Sequence, residues 1–145
     1  MSYDLFVYLR RSDMPSPVSW RDAIVGAGFS VALYTDFDVD SFTGFLPCPV
    51  NGEISGFEFY VSNVDPKHTA RLQLGPGIDF AVQFSIGARP LEVVSALAAS
   101  SVLAAISAGT LNDPQTGESV LGNAAVDWAK TELAKGPTNW SPRST

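Results

Sequence analysis

Residues 4–9 place apolar side chains at both odd and even positions, which predicts an internal strand with neither face left to water. Ser16 followed by Pro17 supplies a helix N-cap and a proline at the first helical position. Trp20, Ile24 and Ala27 then fall on one helical stripe, and Gly28 offers a left-handed stop. Phe29, Val31 and Leu33 alternate with Ser30, Ala32 and Tyr34, predicting a second strand. The run Val50-Asn51-Gly52-Glu53 predicts a two-residue hairpin, because both central positions of a type I′ turn need positive φ. In that register the amides of Leu46, Cys48 and Val50 point at the partner strand. Pro47 and Pro49, which have no amide hydrogen, face away from it, so an edge strand is expected. Leu46, Cys48, Val50, Phe57, Phe59 and Val61 then share the core face, and Pro47, Pro49, Ile54, Glu58 and Tyr60 the other.

A loop is expected over residues 65–77. Strict alternation from Ile78 to Ile86 predicts a further strand. Pro90 opens an Ala/Ser-rich helix that stops at Gly109. Residues 112–117 (Asn-Asp-Pro-Gln-Thr-Gly) are turn chemistry. A last helix is expected from about Val120 to Lys135, with Leu121, Ala125, Trp128 and Ala129 on one stripe, ended by Gly136-Pro137. The order β-α-β-β-β-β-α-α, with short links, implies an α+β fold. It would be a mainly antiparallel sheet with helices packed on one face, in a ferredoxin-like or similar split arrangement. Residues 1–136 are read as one domain and 137–145 as a loose C-terminal tail.

Bulk properties narrow the roles. The chain has 145 residues, 46% of them hydrophobic, enough for one continuous core. A net charge of −6 disfavours nucleic acid and anionic membrane surfaces, both of which need Lys and Arg. No signal peptide is recognised, and the apolar run 91–108 carries Glu92 among Ala and Ser, so it reads as a buried helix. A cytoplasmic location is expected.

No catalytic constellation emerges. Cys48, the single cysteine, is expected in the core, away from the single histidine, His68. One Cys and one His cannot build a structural zinc site. Asp36, Asp38 and Asp40 resemble the start of a calcium loop, but Ser41 and Pro47 stand where that motif needs Gly and Glu. Gly75-Pro76-Gly77 precedes a strand and lacks the lysine of a phosphate loop. No cofactor and no metal are expected. What remains is charge. From Arg21 to Lys67 there is no basic residue, while Asp22, Asp36, Asp38, Asp40, Glu53, Glu58 and Asp65 lie between them. With Tyr60, the carboxylates Asp36, Asp38, Asp40, Glu53, Glu58 and Asp65 make a candidate surface for a basic protein partner.

Four short pieces carry a resemblance: the start Met1-Ser2-Tyr3-Asp4-Leu5, Gly44-Phe45-Leu46-Pro47-Cys48, Gly56-Phe57-Glu58-Phe59, and the turn from Gly109 through Asp113-Pro114 to Glu118. Together they resemble small bacterial proteins, some of which are immunity proteins encoded beside toxins of contact-dependent or type VI secretion. The resemblance carries over no functional residue. It implies a cytosolic domain that occludes the active site of one cognate toxin, often through an acidic surface. Two other readings stay open: a small-ligand domain or enzyme with a dispersed site, and a homo-oligomeric adaptor pairing through its edge strand.

Overall fold

The pleat of β1 (Tyr3–Leu9) organises the molecule. Leu5, Val7 and Leu9 point to one side and are fully buried, while Asp4, Phe6 and Tyr8 point to the other. A computed structural model describes residues 3–87 and 89–135. β1 lies inside a six-stranded antiparallel sheet and pairs on one side with β4 (Phe80–Ile86) and on the other with β5 (Thr110–Asp113). Beyond β4 come β3 (Gly56–Asn63) and β2 (Gly44–Pro47), and beyond β5 comes β6 (Glu118–Leu121), giving the order β2-β3-β4-β1-β5-β6.

Three helices pack on the side of Leu5, Val7 and Leu9, as the amphipathic pattern requires. The central one is α3 (Pro90–Ser107), which contacts β1, β3, β4 and β5 and carries α1 (Pro17–Gly26) and α4 (Gly122–Ala134) against it. It is long and apolar enough to cross a membrane, yet most of it is buried in this core. Its Ala and Ser side chains allow a close approach to the sheet, and the buried Ser95 hydroxyl donates to the Cys48 carbonyl at 2.6 Å. α3 ends at Ala108, which takes the left-handed conformation (φ 54°). Gly109 follows where a Cβ would lie 2.6 Å from the Tyr8 carbonyl oxygen. Gly122, at the start of α4, is also obligatory, because a Cβ there would run into the Ala104 carbonyl of α3.

The α+β class, the antiparallel sheet and the three long helices on one face match the sequence reading. So does the hairpin: Asn51 and Gly52 have φ of 50° and 81°, and the Val50 and Cys48 amides donate to Glu53 and Ser55. The observed order, β-α-β-β-α-β-α-β-β-α, departs from the expected one; its first six elements repeat the β-α-β-β-α-β of a ferredoxin-like unit, but β3 and β4 pair directly instead of being split by β1. The predicted strand at 29–34 is reduced to a single bridge, Val31 to Val50. Its amides of Ala32 and Tyr34 donate to the Pro49 and Pro47 carbonyls, but the two prolines cannot donate back, so no full ladder forms. The same segment covers the outer side of residues 47–50, so that margin is not open as expected.

The 112–117 turn belongs to a hairpin, β5–β6, whose strands are too short and polar to be recognised by period. β6 takes Val120 and Leu121, so α4 begins at Gly122 and Leu121 is 66% exposed instead of joining the stripe of Ala125 and Ala129. The turn is pinned from within. Asp113, buried, accepts from the Tyr3 hydroxyl at 2.5 Å and from the Gln115 side chain and amide. Gln115 also exchanges two hydrogen bonds with the Asp4 backbone, at 2.9 Å each. The 65–77 loop contains a short helix, α2 (Pro66–Arg71), capped by the Asp65 side chain. It packs on the opposite side of the sheet from the other three, with His68 over Tyr8 at a ring separation of 6.0 Å. The expected Gly136-Pro137 stop and the expected loose tail, 137–145, lie outside the described residues.

Candidate functional site

The sheet face that the three long helices leave open is built in rows by strand register. Glu58, Ser85 and Asp4 lie side by side across β3, β4 and β1. The next row is Tyr60, Gln83, Phe6 and Asn112, and the third is Ser62, Ala81, Tyr8 and Thr110. Phe45 of β2 faces Glu58 from the sheet margin. Aromatic side chains thus sit beside two carboxylates. Phe45 and Tyr60 are 44% and 38% exposed, and Phe6 is half-buried and stacked with Tyr8 at 6.0 Å.

The carboxylates of this face have few protein partners. Glu58 accepts the Tyr60 hydroxyl at 3.1 Å. That bond raises the Tyr60 phenol above its ordinary value, and desolvation and the Glu58 and Asp4 charges act in the same direction. Asp4 Oδ1 is shielded from solvent, and no donor among the described residues reaches it. A half-buried carboxylate in this condition is a ready acceptor for an incoming cation.

The acidic residues singled out from the sequence do not form one patch. Glu58 and Tyr60 stand together on the open face. Glu53 sits in the 51–53 turn before β3 begins, and Asp65 follows where β3 has ended. Eight residues of strand separate them, roughly 26 Å at about 3.3 Å per residue. Asp65 is engaged as the α2 cap, and Asp40 pairs with Arg11 at 3.5 Å. Asp38 accepts the Asp40 amide at 2.8 Å, closing the local turn, and Asp36 is exposed. The charges are contiguous along the chain, but folding spends several of them on its own turns, caps and pairs.

Asp4, Phe6 and Phe45 join the site without having been singled out. The signal for Phe6 lies in the 4–9 run, whose second apolar face is this surface; Asp4 carries no local mark. No group of three or more His, Cys, Asp or Glu residues among those described is arranged to hold a metal. Cys48 is fully buried on the helix side, whereas His68 lies over Tyr8 on the open side, so the sheet separates them. Burial pushes the Cys48 thiol up to about 12, against a lowering hydrogen bond with Ser95, which keeps it protonated and unreactive near neutrality.

No protein-family model matches this chain, and neither a curated protein nor a solved structure shows significant similarity to it.

Proposed function

We propose that this is a non-catalytic binding protein, an immunity-type inhibitor that occludes a basic toxin domain with its open sheet face. The supporting observation is the association of Phe45, Tyr60 and Phe6 with the Asp4 and Glu58 carboxylates on a surface free of long helices. Aromatic side chains supply contact area at low entropic cost, and the carboxylates orient and accelerate encounter with a cationic partner. Compared with the acidic run 36–65, the docking surface shifts to Asp4, Phe6, Phe45, Glu58 and Tyr60. The net charge of −6 steers basic proteins toward it at long range. Such inhibition needs no bond-making group from this chain, and a toxin made in the same cell would be met in the cytoplasm.

The immobilised protein is expected to retain one stoichiometric basic protein from a lysate of the native organism, with less retained as salt rises. The double variant Glu58→Lys/Tyr60→Ala is expected to lower the association rate by about tenfold or more while leaving the fold intact. Unchanged retention by the double variant defeats the reading, as does the absence of any stoichiometric partner.

A further inference from the structure

The acidic half of the open face gives way, at its far end, to a different chemistry. Between α2 and the ends of β1 and β3 lies an open cavity of about 260 Å³, lined by Phe6, Tyr8, Asn63, Asp65, His68 and Arg71 among others. Its floor is aromatic. Phe6 and Tyr8 are two residues apart on β1, and their ring planes differ by only 12°, which makes a shelf. His68 leans over the Tyr8 end at 54°.

The polar groups around this shelf are mostly donors. Tyr8 is 94% buried (6% exposed), yet no group among the described residues hydrogen-bonds its phenol. Burial raises this phenol above its ordinary value, so it stays a neutral O–H donor. Arg71 has no carboxylate partner among the described residues; its guanidinium lies 3.4 Å from His68 Nδ1. Guanidinium only donates, so Nδ1 of His68 is the acceptor in this contact. Asn63 spends its carbonyl oxygen on Arg11 at 3.0 Å, leaving its NH₂ group. The one carboxylate of the lining, Asp65, already accepts the His68 amide at 2.9 Å.

We infer that this cavity binds a small organic anion, a flat ring lying on the Phe6–Tyr8 shelf with its carboxylate or similar oxyanion held by Arg71 and the Tyr8 hydroxyl. Planar guanidinium suits a carboxylate because it can make two parallel bonds. The volume admits a single ring with one substituent and excludes larger cofactors. The site shares Phe6 with the proposed partner surface but is otherwise distinct from it, since Asp4, Phe45, Glu58 and Tyr60 do not line it.

A two-dimensional NMR titration with sodium benzoate tests this. Saturable shifts are expected in the low-millimolar range, confined to residues of β1, the end of β3 and α2. Arg71→Ala, at an exposed position, is expected to weaken benzoate about tenfold. Tyr8→Phe, which keeps the shelf, should weaken it severalfold. Benzamidine, the same ring with the opposite charge, should not bind, and inorganic phosphate should bind more weakly than benzoate. The inference is overturned if benzamidine or phosphate matches benzoate, if Arg71→Ala binds benzoate as well as the parent, or if nothing saturates by tens of millimolar.

Discussion

Replacing Trp20 with alanine is expected to lower the free energy of unfolding by about 3–5 kcal/mol, the range for truncating a fully buried aromatic side chain. Trp20 is completely buried between α1, α3 and the sheet. Its rings lie 6.0–6.5 Å from those of Phe84, Phe59 and Phe37, at tilted or edge-on angles. Its indole N–H donates to the Ala99 carbonyl at 3.0 Å, tying α1 to α3. Three costs therefore coincide: lost apolar burial, a cavity among rings fixed by one another, and a lost hydrogen bond inside the core. Small domains are stable by only about 5–15 kcal/mol, so this variant is expected to be partly unfolded at 37 °C. Urea denaturation followed by far-ultraviolet circular dichroism measures the loss. Val25→Ala, on the same helix but 61% exposed, should stay within about 0.5 kcal/mol of the parent. A Trp20→Ala loss no larger than that control would mean α1 is not docked as described.

Asp113→Ala should cost about 3 kcal/mol, for an electrostatic reason instead of a steric one. The buried carboxylate accepts three donors, one from Tyr3 and two from Gln115. Deleting it removes the charged acceptor that the Tyr3 hydroxyl reaches at 2.5 Å and frees the turn that joins β5 to β6. Asp113→Asn keeps one acceptor oxygen and should cost about 1 kcal/mol. The pair also shapes alkaline stability. Burial first, then the hydrogen bond and charge of Asp113, raise the Tyr3 phenol far above its ordinary value of 10.0. Above about pH 10 the unfolded chain therefore loses this proton while the folded chain keeps it. The native state then binds more protons, and stability falls as pH rises. Cys48, raised from 9.0 to about 12, contributes with the same sign and begins to do so earlier. Tyr3→Phe should flatten the decline measured by urea unfolding between about pH 9 and 11. A decline as steep as the parent's would show that Tyr3 ionises as freely in the folded protein as in the unfolded one.

Local chemistry in the chain announced part of this architecture well. Asn51-Gly52 and the parity of Leu46, Cys48 and Val50 specify the hairpin, its register and its buried face, because a pleat with period two leaves no other solution. Where the outcome depended on a distant partner, local pattern failed. Residues 29–34 alternate as a strand should, but whether they form a ladder was decided by the missing amides of Pro47 and Pro49. The β5–β6 hairpin hid behind its own turn residues, since in four-residue strands whose buried positions are one leucine, Leu111, and one aspartate, Asp113, almost no hydrophobic period shows. The site was harder to read for the same reason. Carboxylate count along 36–65 was visible, but not that Asp65 caps a helix or that Asp40 meets Arg11. The Asp65-Pro66 pair was itself a helix-start signal, of the kind that located α1 from Ser16-Pro17. Asp4 and Glu58 become neighbours only through β4, and no spacing along the chain records that.

The seam between residues 30–34 and 47–51 has a dynamic consequence. It is closed by three main-chain bonds, two of them running one way into proline carbonyls. A full ladder of that length is reinforced from both sides, so this margin detaches at lower cost than the β3–β4 pairing. Amide hydrogens of Ala32 and Tyr34 should accordingly exchange with solvent deuterium well before those of Val82 and Phe84. Each such opening would loosen residues 30–34 while Phe37 and Phe42 stay packed against Trp20 and Phe59, so the breathing is confined to the sheet margin.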